Sequence, residues 1–159
     1  MPTASFTLVT PLAPEQTWAY LRDYTNKLDW DPVVTEVTRA EGTDDAWNVR
    51  LYRWPAVQMT CEREDMSAAS PHAPRMVRFT SDNKGRSVRT VEQVTVELAE
   101  AGGGSRVSYT MQLGFAGWRR LPCVGAAVWV HTRADAARAQ DKLCKRLAQL
   151  AEGQAVELV

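Results

Sequence analysis

The run from Leu121 to Glu152, LPCVGAAVWVHTRADAARAQDKLCKRLAQLAE, constrains the fold more than any other stretch. No proline follows Pro122, and no glycine follows Gly125 until Gly153. Ala, Leu, Arg, Gln and Lys dominate, all strong helix formers. Pro122 suits a first helical turn and Gly153 suits a stop. A helix of about 30 residues is roughly 45 Å long. A chain of 159 residues has to cover the apolar side of such a rod with something extended. On a wheel of about 100° per residue with Trp129 at the origin, Arg133, Ala136, Gln140, Leu143, Cys144 and Leu147 fall within about 60° of it. That line is the expected covered face. Almost everything from Val33 to Phe115 reads as strand, so the expected cover is a sheet.

The segments before the rod support this. Ser5 to Thr10 alternates, with Phe6 and Leu8 on one side, and reads as a strand closed by Pro11 and Pro14. Pro14 fits the first position of a helix, PEQTWAYLRDYTN, whose apolar face carries Trp18, Leu21 and Tyr24. KLDWDP reads as a second short helical turn ended by Pro32. Six strand-like runs follow. VVTEVTRAE stops at Gly42, AWNVRLYRW at Pro55, and AVQMTCERED in the loop MSAASPHAP. RMVRFTS stops at DNKGR, and SVRTVEQVTVELAE at Gly102 to Gly104. SRVSYTMQLGF leads into the long helix. Short loops between consecutive strands imply an antiparallel meander. One domain over residues 1–153 is expected, with 154–159 as a tail.

Charge and cysteine content narrow the function classes. Lys+Arg and Asp+Glu are each 19, so the basic footprint of a nucleic-acid binder is absent in bulk. Cys61, Cys123 and Cys144 are far apart and show neither metal spacing nor a disulfide framework, which fits a reducing cytoplasm. MPTASFTLVTPLAPE lacks a basic region and a long apolar run, so neither a signal peptide nor a membrane span is expected. No phosphate loop, dinucleotide glycine pattern or nucleophile elbow occurs. His72 and His131 are placed too differently for a zinc or di-iron site. Neither a metal nor a cofactor is expected.

The order strand, helix pair, six-stranded meander and long C-terminal helix resembles the START-like, or SRPBCC, helix-grip superfamily. Three segments are similar to its polyketide cyclase/dehydrase branch: TPLAPEQTWAYLRDYTNKLDWDPVVTEV, GGGSRVSYTM and GFAGWRRLPCVGAAVWVHTRADAARAQDKLCKRL. The likeness covers nearly the whole chain. It implies an α+β fold in which a seven-stranded curved antiparallel sheet wraps the C-terminal helix, with two short helices after the first strand. It also implies a hydrophobic small-molecule ligand. The branch holds both cyclases and binding proteins, so fold alone does not choose between them.

A curved sheet closing on one helix leaves a cavity, and strand alternation says which side chains enter it. Val88, Thr90, Glu92, Val94, Val96 and Leu98 share one face. Val107, Tyr109, Met111, Leu113 and Phe115 share another. Val57, Met59, Cys61, Arg63 and Asp65 face together. In AWNVRLYRW, Trp47, Val49, Leu51 and Arg53 oppose Asn48, Arg50, Tyr52 and Trp54, and either set can point inward. The polar members among apolar neighbours are Glu92, Arg63, Arg53 and Arg133. A lone buried carboxylate faces a desolvation cost of several kcal/mol, so Glu92 is expected to be paired, protonated or hydrated.

Two roles follow for these residues. As an enzyme of the resembled branch, the protein would bind a polyketide-like chain and promote intramolecular cyclisation or dehydration. Glu92 would move a proton, and Arg63 with Tyr109 would stabilise the developing enolate or alkoxide. Trp30, Arg53, Met59, Thr90, Met111, Trp129 and Arg133 would line the pocket. As a carrier of a lipid-like molecule, it would use the same polar groups only for orientation, with Glu92 in a structural ion pair, Arg63 being one partner. The apolar start of the last helix, Val124 to Val130, is a place for a second copy to meet the first, giving a homodimer.

Overall fold

The computed structural model describes residues 3–52, 54–66, 73–82, 88–99, 103–115 and 122–157. In chain order they form β1 (Thr3–Thr10), α1 (Pro14–Arg22), a 3-10 turn (Tyr24–Asn26), α2 (Lys27–Trp30), β2 (Val34–Arg39) and β3 (Ala46–Leu51). Then come β4 (Trp54–Met66), β5 (Arg75–Asp82), β6 (Val88–Leu98), β7 (Ser105–Phe115) and α3 (Pro122–Glu157). The seven strands make one antiparallel sheet in the order β1-β7-β6-β5-β4-β3-β2. β2 to β7 are therefore a meander, and β1 closes onto its last strand. Register shifts interrupt the β2–β3, β3–β4 and β4–β5 pairs, and such irregularities increase local twist and bend a sheet. This is the curled sheet, long terminal helix and short helices of a helix-grip fold.

Alternation sets the inner face. Ala4, Phe6, Leu8 and Thr10 of β1 are buried, while Thr3, Ser5, Thr7 and Val9 are exposed. In β3 the structure selects Trp47, Val49 and Leu51 as the inward set, with Asn48 and Arg50 exposed. Met59, Val77, Phe79, Val94, Val96 and Val107 complete the sheet side of the core. Gly42 and Gly103 take positive φ, 78° and 86°, which suits the turns that they make before β3 and β7.

Helix α1 begins at Pro14 with no side-chain cap, and buries Thr17, Trp18 and Leu21. Thr17 Oγ1 and Ser105 Oγ lie 2.9 Å apart, and Ser105 Oγ donates to the Leu12 carbonyl. This buried chain of hydroxyls ties the start of α1 to the start of β7. Helix α3 lies along β1 and against α2. Asp29 of α2 accepts from Arg146 Nε of α3 and from Tyr20 Oη of α1, each at 3.1 Å. No helix among the described residues is long and apolar enough to cross a membrane.

Three expectations are corrected. The hairpin after β3 turns before Pro55: β3 ends at Leu51, and Trp54 and Pro55 open β4, because a proline at a strand's start removes little from the ladder. Gly153 does not stop the last helix, which runs to Glu157. One glycine costs about 1 kcal/mol, and Gly153 lacks the left-handed φ of a terminating cap. The covered stripe of α3 is Thr132, Ala136, Ala139, Leu143 and Leu147, whereas Arg133 and Cys144 are exposed. The stripe is rotated from the Trp129-centred line because Ala and Thr can lie on either face of a helix. His131 is exposed, as expected.

Candidate functional site

Lys27 opens α2 and turns its side chain inward, leaving it 5% exposed. Asp23 holds the preceding turn by accepting from Thr25 N at 3.1 Å. The ammonium donates to Glu92 Oε2, to Asp31 Oδ2 at 3.2 Å and to Tyr109 Oη at 3.1 Å. Glu92, on β6, is 4% exposed, and its other oxygen accepts from Tyr24 Oη at 3.2 Å. Asp31 Oδ1 accepts from Val33 N at 3.0 Å. A buried ion pair is tolerated only when hydrogen bonds satisfy the atoms that water has left, and this set meets that condition.

Aromatic rings enclose the charges. Lys27 Nζ lies 4.9 Å from the Tyr24 ring centre, 5.3 Å from Trp30 and 5.2 Å from Tyr109. Tyr109 stacks on Phe6 at 5.0 Å and meets the edge of Trp30 at 5.7 Å. Tyr24 packs on Phe79 at 4.9 Å and on Trp47 at 5.7 Å. Trp47 Nε1 is buried and has no hydrogen-bond partner among the described residues. An unmade bond at a buried donor is costly, so this indole N–H is a ready donor to any oxygen that reaches it.

The electrostatics keep the Lys27 ammonium and the phenols of Tyr24 and Tyr109 protonated. Burial works against the Lys27 ammonium, but the Glu92 carboxylate above all, together with Asp31, lifts its pKa above the ordinary lysine value. Burial, reinforced by Glu92, pushes the phenols of Tyr24 and Tyr109 well above the usual tyrosine range. At neutral pH the cluster therefore presents an ammonium and two phenols beside carboxylate oxygens.

The cluster stands at a border in the interior. Along β6, Val96, Val94 and Glu92 are buried, but Thr90 is half-buried; along β7, Val107 and Tyr109 are buried, but Met111 and Leu113 are half-buried. One end of the sheet is solid core, and the other is only partly covered among the described residues. A groove of about 470 Å³ also runs between β1 and α3, lined by Thr3, Ala4, Ser5 and Phe6 on one side and Arg133, Ala136, Ala137 and Gln140 on the other. Phe6, which lines this groove, also stacks its ring on Tyr109.

Of the residues singled out from sequence, Glu92, Tyr109 and Trp30 come together here. Met59 is packed in the core at 1% exposure, and Thr90 and Met111 line the looser end. Arg133 stands on the outer groove. Arg53 and the side chains of Arg63 and Trp129 lie outside the described residues. Tyr24, expected with Trp18 and Trp30 at one end of the cavity, is in the cluster; Lys27 and Asp31 were not anticipated there, and the one pointer was a lysine at the head of the short helix KLDW. Glu92 was expected to be paired, protonated or hydrated, and among the described residues it is paired with Lys27 and accepts from Tyr24.

Residues 1–152 match the family model described as polyketide cyclase / dehydrase and lipid transport. No curated protein matches the chain. Among solved structures, the protein XoxI from Bacillus cereus superposes with a TM-score of 0.70 at 12% identity, over 95% of this chain and 99% of that one. A START superfamily protein from Mycobacterium smegmatis superposes with a TM-score of 0.60 at 10% identity, over 91% and 98%. The di-domain ARO/CYC BexL from the BE-7585A biosynthetic pathway gives a TM-score of 0.60 at 12% identity, over 90% of this chain and 46% of that one. At such identities the likeness is one of fold.

Proposed function

This chain belongs to the polyketide cyclase/dehydrase and lipid transport family, and on that premise we propose that it binds a hydrophobic poly-carbonyl molecule beneath its last helix and promotes intramolecular cyclisation or dehydration. The observation that carries this reading is the Lys27–Tyr109–Glu92 network at the edge of the loosely covered interior. Family membership and fold support ligand binding or cyclase activity in general; the acid–base assignment is our own.

Met111, Leu113 and Thr90 would hold the carbon chain folded, bringing its reacting carbons together. The Tyr109 phenol, with the Lys27 ammonium hydrogen-bonded to its oxygen, would donate to the oxygen that gains negative charge. Glu92 would accept the proton released from carbon, and the Trp47 indole would orient a second carbonyl. Glu92 would then hold the proton that Tyr109 lacks, and its passage through the Lys27 ammonium, hydrogen-bonded to both, would restore the cluster; in a dehydration the proton from Tyr109 would leave with the hydroxyl as water.

A carrier role is the second reading, and one observation favours it. All three hydrogens of the Lys27 ammonium are already bonded to groups of the chain, as in a purely structural network. A linear poly-β-ketone separates the two. The enzyme reading expects faster ring formation than in buffer, with Tyr109→Phe lowering kcat by about 100-fold while tryptophan quenching by the ligand persists. Binding without acceleration would leave the carrier.

A further inference from the structure

Three ring faces and two carboxylates converge on one nitrogen at Lys27. Faces within about 6 Å of a cation, supported by anionic oxygens, are the means by which proteins recognise ammonium groups of ligands. In this protein the guest is tethered to the host. A buried charge is not needed for packing, because a hydrophobic pair of similar volume can replace an ion pair at little cost.

We infer that Lys27 is a specificity-determining plug: it fills an ammonium-recognition cage formed by Tyr24, Trp30, Tyr109, Glu92 and Asp31, so that a ligand entering the interior carries no cationic head of its own. The cage walls come from four separate elements: the 3-10 turn supplies Tyr24, α2 supplies Trp30, β6 supplies Glu92 and β7 supplies Tyr109. Asp31, at the C-terminal cap of α2, completes it. The walls are held by contacts that do not involve the lysine, including Tyr109 on Phe6, Tyr24 on Phe79 and Asp31 on Val33 N. The cage therefore persists when the plug is shortened. The consequence for ligand choice rests on the reading that the interior takes a ligand, but the cage can be tested without one.

Lys27→Ala removes three carbons and the nitrogen, which n-propylammonium restores. The melting temperature of Lys27→Ala is measured in propylammonium chloride, in sodium chloride of equal ionic strength, and in n-propanol. The expected result is a saturable rise of about 4 °C at ten times Kd with propylammonium. No specific rise is expected with n-propanol, nor with propylammonium on the wild type or on Lys27→Met, whose cage stays filled. Should Lys27→Ala fold only when refolded in propylammonium, that rescue also supports the cage. Equal rescue by n-propanol, an equal shift of the wild type, no amine-specific shift in folded Lys27→Ala, or failure to refold with amine while Lys27→Met folds would each overturn it. None of these readings depends on turnover, so they stand apart from the fate of the cyclase proposal.

Discussion

Gln140 of α3 donates its side-chain amide to the backbone carbonyl of Thr7 in β1 at 3.0 Å, which fastens the last helix to an edge strand of the sheet. Edge strands present unpaired backbone groups that invite foreign strands, and this bond occupies one of them. Gln140→Ala is expected to cost about 0.5–1 kcal/mol, because water can reach the exposed Thr7 carbonyl in its place. Urea unfolding of the variant checks this; a loss above about 2 kcal/mol would mean that the edge depends on this residue far more than a single bond allows.

Removing one partner of the buried pair has a larger effect. Glu92→Gln keeps an acceptor oxygen beside the Lys27 ammonium but leaves Asp31 as its one carboxylate among the described residues. The expected loss is about 3 kcal/mol, at the lower end of the range for an uncompensated buried charge because Asp31 remains. The triple variant Lys27→Met, Asp31→Asn and Glu92→Gln removes every charge of the cluster and is expected to recover more than half of that loss. A triple variant no more stable than Glu92→Gln alone would show that buried charge is not what the single change leaves poorly compensated.

Alkaline stability follows from the same cluster. Lys27, Tyr24 and Tyr109 all have folded pKa values raised above their ordinary 10.5 and 10.0. A raised value means that the folded state keeps a proton that the unfolded chain gives up. The contribution is therefore complete below about pH 10 and is lost as pH climbs through the raised values. Each group contributes a slope of about 1.4 kcal/mol per pH unit above that point, so three give about 4. Tyr20, whose phenol burial also pushes up, adds a fourth such group, so Tyr24→Phe should reduce the measured slope by about one quarter. Unfolding free energies from pH 8 to 11.5 test this, and a flat profile would contradict it.

Two glycines are expected to respond in opposite directions to alanine. A Cβ on Gly104 would lie 2.2 Å from the Thr10 carbonyl oxygen and 3.2 Å from Pro11 Cα, both backbone atoms. Gly104→Ala must separate the end of β1 from the start of β7, at a cost of about 2–3 kcal/mol. A Cβ on Gly153 meets nothing within 4 Å, and the residue is helical. Gly153→Ala should add about 0.5–1 kcal/mol. Thermal unfolding of both variants checks the signs.

The interior face of β6 and β7 was legible because Val94, Val96 and Val107 alternate strictly, and the pleat then carries Glu92 and Tyr109 inward with them. Turn chemistry at Gly42 and at Gly102 to Gly104 marked strand ends for the same local reason. Lys27 was not legible. Lysine is almost never fully buried unless paired, and its pairing with Glu92 and Tyr109 joins residues 65 and 82 positions away. Ala136, Leu143 and Leu147 lie on the expected line, but the rotation of α3 was lost because Thr132 and Ala139 are weak markers of burial, whereas Trp129 is a strong one. In β3, side chains suitable for a core occur on both faces, and only the packing of Trp47 on Tyr24 and Phe79 decides between them.

The pairing of β1 with β7, from Thr3 opposite Gln112 to Thr10 opposite Ser105, has a consequence during synthesis. The first strand emerges carrying Phe6 and Leu8 but has no neighbour until about a hundred further residues are made, some 5–20 s at ordinary elongation rates. Over that interval the nascent chain holds an unpaired greasy ribbon, where a chaperone can bind it, and the sheet cannot be completed until its last strand has left the ribosome.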